Sequence, residues 1–126
     1  MILADTHTWL WWLDDRALLS RTAAHALETQ PLLISPITFW EIGMLADKRR
    51  IRLEKPTADW LRGALDQTLA IIVPISIDIA VRAASLPDPI RDPADRLIVA
   101  TAIERGVPLV TKDERIQQSG VVETIW

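Results

Sequence analysis

The sequence predicts an α/β fold of three layers, in which a mostly parallel central sheet of four to five strands lies between two layers of helices. Two observations lead to this prediction. Short, continuous apolar runs alternate along the chain with longer segments that carry helical caps. The apolar runs lack the polar alternation of a strand with one solvated face, so helices should cover both faces of the sheet. The 126 residues suit a single domain over residues 1–126.

The first half of the chain is predicted to contain two strands and three helices. In chain order these are a strand over 1–6, a helix over 7–13, a helix over 21–29, a strand over 31–35 and a helix from 36 to about 50. Ser20 should cap the second helix, because a serine oxygen accepts a hydrogen bond from a free N–H of the first turn. Ser35 should cap the third helix, and Pro36 suits its first position.

The second half is predicted to contain three helices and up to three strands. In chain order these are a helix over 57–68, a strand over 70–75, a helix over 76–86, a helix from 92 to 106, a strand over 109–111 and a short strand within 121–126. Thr57 or Asp59 should start the first of these helices. Gly106 should end the third, because glycine readily adopts the left-handed conformation beyond a helix.

Composition narrows the classes of function. The net charge is −3, whereas a protein that holds nucleic acid mainly by neutralising phosphates would usually be basic. The chain has no cysteine, which excludes disulfides, zinc–thiolate sites and cysteine nucleophiles. No apolar run reaches the roughly eighteen residues of a membrane span, and the first residues lack the basic segment of a signal peptide. We therefore expect a cytoplasmic protein with no membrane partner.

Four carboxylates lie in apolar surroundings, where an ionised group is costly. Asp5 and Glu41 are each the only charged side chain within a long apolar stretch. Asp95 shares a helical face with apolar residues, and Asp113 closely follows the apolar run before it. A divalent cation is the strongest compensation for such charges. The four acids together indicate one shared metal site.

The predicted topology brings these acids to one edge of the sheet. Asp5 ends the first strand, Asp113 follows the fourth, and Glu41 and Asp95 lie in helices next to strands two and four. Ligands of parallel α/β folds bind beyond the carboxyl ends of the strands. Oxygen ligands of this kind suit Mg²⁺ or Mn²⁺. The residues that we expect to support the ligating carboxylates by hydrogen bonds are Thr6 and Thr111.

Each acid also has a structural interpretation. Asp92 and Asp95 resemble a capping box, and Asp113 would suit the N-cap of a short helix. Glu41 has no capping role in mid-helix, so its main structural alternative is a buried ion pair with Arg96. The joint placement of the acids favours a site.

Four motifs, taken in order, resemble the PIN-domain family of the VapC type. They are Leu3-Ala4-Asp5-Thr6-His7, Trp40-Glu41-Ile42, the segment from Asp92-Pro93-Ala94-Asp95 to Ala102, and Leu109-Val110-Thr111-Lys112-Asp113. In this resemblance Asp5, Glu41 and Asp95 match the three core acids of the family, and Asp113 matches a fourth, more variable acid. Ala94 departs from the pattern, because similar sequences often have an aromatic residue there.

The resemblance implies a Rossmann-like fold and a Mg²⁺- or Mn²⁺-dependent endoribonuclease. Such a protein would be the toxin component of a VapBC-type toxin–antitoxin module and would hydrolyse RNA phosphodiester bonds with metal-activated water. Its partners would be RNA, a cognate VapB antitoxin and a second copy of the chain. Asp5, Glu41, Asp95 and Asp113 would be both the metal ligands and the catalytic residues.

Basic and aromatic residues suggest where substrate or partners bind. Arg91 and Arg96 flank the acids in sequence and would contact phosphates, with ion pairs to neighbouring acids as the alternative. Five basic residues within 48–55 either stabilise a helix C-terminus or follow an RNA backbone. The six tryptophans suggest, as a group, an apolar groove or a dimer surface.

Two other classes of function fit part of the pattern. An aspartate after the first strand, here Asp5, also serves as the nucleophile of phosphatases and phosphotransfer proteins. The second acid used by the haloacid-dehalogenase type is absent two residues later. The other class is a binding module that has kept the fold without catalysis, although the four acids of this chain are intact.

Overall fold

The strands form one sheet in which every neighbouring pair is parallel. The computed structural model describes all of residues 1–126. Its strands are β1 (Ile2–Ala4), β2 (Leu32–Ile34), β3 (Ile71–Ile72), β4 (Leu109–Val110) and β5 (Thr124–Ile125). Their order across the sheet is β3-β2-β1-β4-β5. The prediction of a parallel sheet of four to five strands is confirmed, with five.

The central strand β1 lies where the direction of the chain across the sheet reverses. Leu3 is aligned with Leu33 of β2 on one side and with Leu109 of β4 on the other. Beyond the paired residues, the N–H of Asp5 donates to the carbonyl of Val110 at 3.2 Å. The ends of β1 and β4 are therefore adjacent, and this switch point is where α/β sheets place their ligand sites.

Seven α-helices and one short 3₁₀ helix connect the strands. The α-helices are α1 (Thr6–Asp14), α2 (Arg21–Thr29), α3 (Pro36–Asp47), α4 (Thr57–Thr68), α5 (Ile77–Ala84), α6 (Pro93–Arg105) and α7 (Glu114–Ser119). The 3₁₀ helix, Arg16–Leu18, was not predicted. No helix is both long and apolar enough to span a membrane.

Most predicted caps are formed. The hydroxyl oxygen of Ser20 accepts from the N–H of Ala23 at 3.0 Å, and Gly106 ends α6 with a φ of 65°. The prediction for α3 was wrong at its end: the helix stops at Asp47, and Arg49 adopts a left-handed φ of 57°. The predicted side-chain cap of α4 is also absent, since Pro56 occupies the N-cap position.

The core is divided between the two faces of the sheet. Leu3 and Leu109 point to one face and pack with residues of α5 and α6. Ile2 and Val110 point to the other face and pack with residues of α1 to α4. Successive residues of a strand face opposite sides, so continuous apolar strands require a helix layer on each side. The predicted three-layer arrangement is confirmed.

The tryptophans do not form one shared surface. Trp9 and Trp12 are buried in the core beneath α1, as is expected of apolar residues on one side of a helix. Trp11, on the same helix, is only half-buried, and Trp40 on α3 is 58% exposed. The expectation of a groove made by the tryptophans as a group is therefore not met. Trp11 alone among them lines the cleft that is described in the next section.

Candidate active site and metal centre

A cleft of about 540 Å³ lies beyond the carboxyl ends of β1 and β4. Its lining is dominated by acids. The lining residues are Asp5, Thr6, His7, Trp11, Glu41, Asp92, Asp95, Lys112, Asp113 and Glu114. The four acids predicted from the sequence all line this cleft. Six carboxylates in one concave space repel each other strongly and favour the binding of a cation.

Asp5 is fixed at the start of α1 by two hydrogen bonds. Its Oδ1 accepts from the N–H of Thr8 at 2.9 Å, which makes Asp5 the N-cap of the helix. Its Oδ2 accepts from the hydroxyl of the buried Thr111, which follows β4. This hydrogen bond connects the residue that follows β4 to the residue that follows β1.

Glu41 is held by a chain of buried hydroxyls. The hydroxyl of Thr6 donates to Oε1 of Glu41, and the Oγ1 of Thr6 lies 3.1 Å from that of Thr38. A hydroxyl has one proton, so Thr38 donates to Thr6 in this chain. Burial raises the pKa of Glu41, and the hydrogen bond from Thr6 offsets part of the rise. The site therefore orients this carboxylate without neutralising it.

Asp92 and Asp95 stand together with Glu41. Each of the three offers a carboxylate oxygen within 4.8 Å of the other two. Burial, and next the charges of Asp92 and Glu41, raise the pKa of Asp95 from 3.8 to about 7. Asp92 also caps α6, since its Oδ1 accepts from the N–H of Asp95 at 3.1 Å. Asp92 had been assigned only this capping role, and the geometry adds it to the acidic set.

Asp113 combines a structural role with a free oxygen. Its Oδ1 caps α7 by accepting from the N–H groups of Arg115 at 2.8 Å and Ile116 at 3.3 Å. Its own N–H donates to the hydroxyl of Thr111 at 3.1 Å. The second oxygen makes no protein hydrogen bond, so Asp113 can cap the helix and face the cleft at once.

The donor set fits a hard divalent cation. The three closest ligand atoms of Glu41, Asp92 and Asp95 are all carboxylate oxygens, with no sulfur and no imidazole among them. Such donors suit Mg²⁺ or Mn²⁺ better than Zn²⁺. The raised pKa values of Glu41 and Asp95 reflect burial and repulsion that a bound cation would relieve.

The two arginines predicted beside the acids lie elsewhere. Arg96 points away from the cleft, and its guanidinium donates to four main-chain carbonyls, those of Ala83, Ala84, Leu86 and Ile90. The proposed ion pair with Glu41 is not formed, because these carbonyls satisfy the guanidinium. Arg91 is exposed and lines a separate shallow depression with Pro89 and Arg115. Neither arginine lines the acidic cleft.

Lys112 takes the position that had been expected of the arginines. It is exposed and is the one lysine or arginine that lines the cleft. Its place could have been found from the sequence, because it lies between Thr111 and Asp113, both of which were assigned to the site. Asp92 could have been found in the same way, from its position one helical turn before Asp95.

Comparison with known proteins identifies the family of the chain. The chain matches the PIN-domain family over residues 2–121. It is 39% identical over 118 residues to Ribonuclease VapC22 of Mycobacterium tuberculosis, a match that covers 92% of this chain and 89% of that protein.

Solved structures share the fold. The structure of VapBC2 from Rickettsia felis, bound to a DNA fragment from their promoter, contains a chain with a TM-score of 0.72 at 16% identity, covering 98% of this chain and 97% of that one. A toxin–antitoxin complex from Klebsiella pneumoniae contains a chain with a TM-score of 0.60 at 29% identity, covering 90% of this chain and 87% of that one. With the acids in place at the switch point of the sheet, the chain belongs to the PIN-domain family, as a member of the VapC type.

Proposed function

We propose that this protein is a Mg²⁺- or Mn²⁺-dependent endoribonuclease and the toxin component of a VapBC-type module. The observation that carries the proposal is the convergence of Asp5, Glu41, Asp95 and Asp113 in one cleft of a PIN fold. The relative with 39% identity is named a ribonuclease, which supports the same reaction here. We further propose that the protein acts in the cytoplasm.

The acids would hold the cation and the threonines would hold the acids. We assign Asp5, Glu41 and Asp95 as ligands, with Asp113 as a fourth and Asp92 as an additional oxygen close to Glu41 and Asp95. When bound, the cation supplies a water of lowered pKa and neutralises charge on a phosphate oxygen. Thr6 and Thr111 fix the directions of Glu41 and Asp5 by hydrogen bonds. Lys112 offers a positive charge to the phosphate.

Phosphotransfer through Asp5 is the weaker alternative. Both oxygens of Asp5 already accept hydrogen bonds, from the N–H of Thr8 and from the hydroxyl of Thr111. Such bonds stabilise the carboxylate and lower its reactivity as a nucleophile. A non-catalytic binding module is also disfavoured, because the cleft retains all four acids and their hydrogen-bond partners.

We propose two protein partners, a VapB-type antitoxin and a second copy of the chain. The antitoxin is supported by the similar solved structures, several of which are toxin–antitoxin complexes.

The second copy is supported by α5, which is apolar on both sides. Its inner side, with Ile79 and Ala83, is buried in the core. The α5 surface, as we define it, is the outer side formed by Ile77, Ala80, Val81 and Ala84.

The α5 surface suits pairing of two copies across a two-fold axis. Ile77 is 83% exposed and Val81 is 64% exposed, and an exposed apolar stripe of this kind favours burial against a partner. In an antiparallel pair of α5 helices, a two-fold axis would place the stripe of one copy against the same stripe of the other, as an isologous interface requires. Arg82 beside the stripe is already ion-paired with Glu104 of α6 in the same chain, so the pairing would rest on the apolar residues.

The enzymatic proposal is tested by RNA cleavage with Mg²⁺ or Mn²⁺, with and without a chelator. We expect cleavage that needs the metal and that Asp5→Asn abolishes. The matched control is Asp66→Asn, which makes the same change at an exposed position of α4 and should leave cleavage intact. Cleavage that persists both in chelator and in Asp5→Asn would contradict the assignment.

A further inference from the structure

A shallow depression that adjoins the acidic cleft is lined by two arginines. It has a volume of about 280 Å³, and its lining consists of Pro89, Arg91 and Arg115, with no carboxylate. Arg91 directly precedes Asp92 in the chain, and Asp92 lines the cleft. Arg115 directly follows Glu114, which also lines the cleft. Consecutive Cα atoms are only about 3.8 Å apart, so the depression borders the cleft on the side where α6 and α7 begin.

The side chains of both arginines have no partner within the protein. Arg91 and Arg115 are exposed, and neither forms an ion pair. This holds even for the adjacent acids Asp92 and Glu114. Two guanidinium groups that line one small space repel each other, and a phosphate between them would replace this repulsion by attraction. An arginine guanidinium also matches the oxygens of a phosphate, to which it donates two parallel hydrogen bonds.

The main chain beneath both arginines is anchored. The guanidinium of Arg96 donates to the carbonyl of the buried Ile90 at 2.7 Å, directly before Arg91. The N–H of Arg115 donates to Oδ1 of Asp113 at 2.8 Å. Only the two side chains therefore have to be ordered when an anion binds, and an anchored main chain lowers the entropic cost of binding.

The acidic cleft needs cations on its rim if an RNA strand is to cross it. Its lining has six carboxylates, and Lys112 is its one lysine or arginine. A divalent cation would compensate part of this charge at the reacting phosphate, but the flanking phosphates of the strand would still meet carboxylates. The larger groove that shares His7 and Trp11 with the cleft mixes three acids with two arginines. The depression of Arg91 and Arg115 is the neighbouring space in which positive charge is not offset.

We propose that Arg91 and Arg115 together bind one phosphate of the RNA strand, next to the phosphate that is cleaved. This inference rests on the proposed ribonuclease function and adds a binding site outside the metal centre. The phosphate is the same at every nucleotide, so the pair fixes the position of the strand without reading its sequence. The strand therefore leaves the acids on the side where α6 and α7 begin.

The first experiment measures the affinity of a labelled oligouridylate by anisotropy, with proteins that carry Asp95→Asn so that the RNA stays intact. We expect Arg91→Met and Arg115→Met each to raise Kd about tenfold, because each removes charged hydrogen bonds to a phosphate. Both residues are exposed, so the melting temperature should not change. The matched control is Arg105→Met, which removes an arginine from the opposite end of α6 and should leave Kd unchanged.

The dependence of Kd on salt tests whether the two arginines share one phosphate. Each phosphate that is neutralised on a single strand contributes about 0.7 to the slope of log Kd against log salt concentration. We expect the variant with both Arg91→Met and Arg115→Met to lower this slope by about 0.7. A decrease of about twice that value would mean that each arginine contacts a phosphate of its own, and this result would overturn the shared site.

A further experiment removes the charge of the phosphate instead of the arginines. RNA substrates that carry one uncharged methylphosphonate linkage are compared at each position near the cut. In the unmodified protein, one position beside the cut should lower kcat/KM about tenfold, mainly through KM. The same position should cause little further loss in the variant with both Arg91→Met and Arg115→Met. Equal losses in both proteins at every position would overturn the proposal.

RNA binding separates this inference from the proposed function. Weaker binding of oligouridylate to the Arg91→Met and Arg115→Met variants supports the phosphate site even if the protein cuts no RNA, an outcome that would contradict only the ribonuclease assignment. Binding that both substitutions leave unchanged would overturn the phosphate site and would assign the two arginines to an acidic segment of a protein partner.

Discussion

Asp95 shows how burial and neighbouring acids change the pKa of a carboxylate that has no cationic partner. Burial and the charges of Asp92 and Glu41 raise its pKa to about 7, and no basic side chain forms an ion pair with it. Its apolar sequence context predicted a costly charge, and this was sufficient to find the residue. How far the pKa of Asp95 rises depends also on Asp92 and Glu41, and Glu41 comes close to Asp95 only in the folded chain.

The pKa of Asp95 leads to a prediction about stability without metal. Between pH 3.8 and about 7, the folded protein retains a proton on Asp95 that the unfolded chain has lost. The folded state binds more protons, so its stability falls as pH rises through this range. We expect the melting temperature of the metal-free protein to decrease between pH 5 and pH 8 by more than that of Asp95→Asn.

The same measurement with metal provides the control. A cation binds the ionised carboxylate, so its stabilising effect should grow as pH rises toward 8. Asp66→Asn, at an exposed position, should follow the unmodified protein at every pH. Identical pH profiles for Asp95→Asn and the unmodified protein would show that Asp95 does not titrate in this range.

At the scale of elements, local chemistry predicted the helix boundaries that a single capping residue sets, such as Ser20 at the start of α2 and Gly106 at the end of α6. Ser20, Ser35 and Asp92 cap helices as expected, because an N-cap depends on one side chain and the next turn. The end of α3 depends on Arg49, whose left-handed conformation is unusual for a residue with a Cβ atom. Strands proved shorter than their apolar runs, because pairing with neighbours rather than hydrophobicity sets their length.

The prediction for Arg96 was wrong because the role of this residue depends on contacts among three segments of the chain. It lies on α6 and donates to carbonyls at the end of α5 and in the loop that precedes Asp92. A sequence shows only that an arginine follows an acid, which suggested an ion pair. In the folded chain Arg96 instead holds the loop that positions Asp92 at the cleft.

Replacement of Arg96 should therefore destabilise the protein. We expect Arg96→Met to lower the free energy of unfolding by about 2–4 kcal/mol, because several carbonyls lose a charged donor. Arg96→Lys should restore little of the lost free energy of unfolding. A lysine ammonium cannot donate to all four carbonyls that surround the planar guanidinium. Urea denaturation measures both.

The control for Arg96 is its neighbour Arg91. Arg91 is exposed and makes no protein hydrogen bond or ion pair, so Arg91→Met should change the free energy of unfolding by less than about 0.5 kcal/mol. If Arg91→Met lowered the free energy of unfolding as much as Arg96→Met does, the cause would be the general removal of positive charge from this region and not the loss of the hydrogen bonds of Arg96.

At the scale of the whole molecule, the sequence predicted the layers but not the surfaces. Alternating strands and helices implied a covered parallel sheet, and the two core clusters bear this out. The apolar residues of α5 were assigned to a helix, yet their pattern alone does not reveal which side the core covers. Ile79 and Ala83 face inward and Ile77 and Val81 outward only because α6 packs on one side.

The proposed pairing through the α5 surface predicts a change of assembly. We expect the unmodified protein to have the mass of a dimer in light scattering and Val81→Glu that of a monomer, because a charge cannot be buried in the apolar stripe. Circular dichroism should show that Val81→Glu remains folded, since Val81 is 64% exposed.

The matched control is Ala58→Glu, which adds the same charge at an exposed position of α4 and should remain dimeric. A dimer that withstands Val81→Glu would place the interface elsewhere on the molecule. An unmodified protein that is monomeric at micromolar concentration would contradict the proposed second copy altogether.

The hydrogen bond between Asp5 and Thr111 has a consequence for synthesis on the ribosome. Asp5 directly follows β1, whereas Thr111 directly follows β4, so Asp5 emerges from the ribosome well before the residues that complete its surroundings. The central strand β1 pairs with β4, which lies more than 100 residues further along the chain. Contacts of such long range form late in folding. A nascent chain therefore carries Asp5 and Glu41 without a cleft, and the site closes only after β4 has emerged.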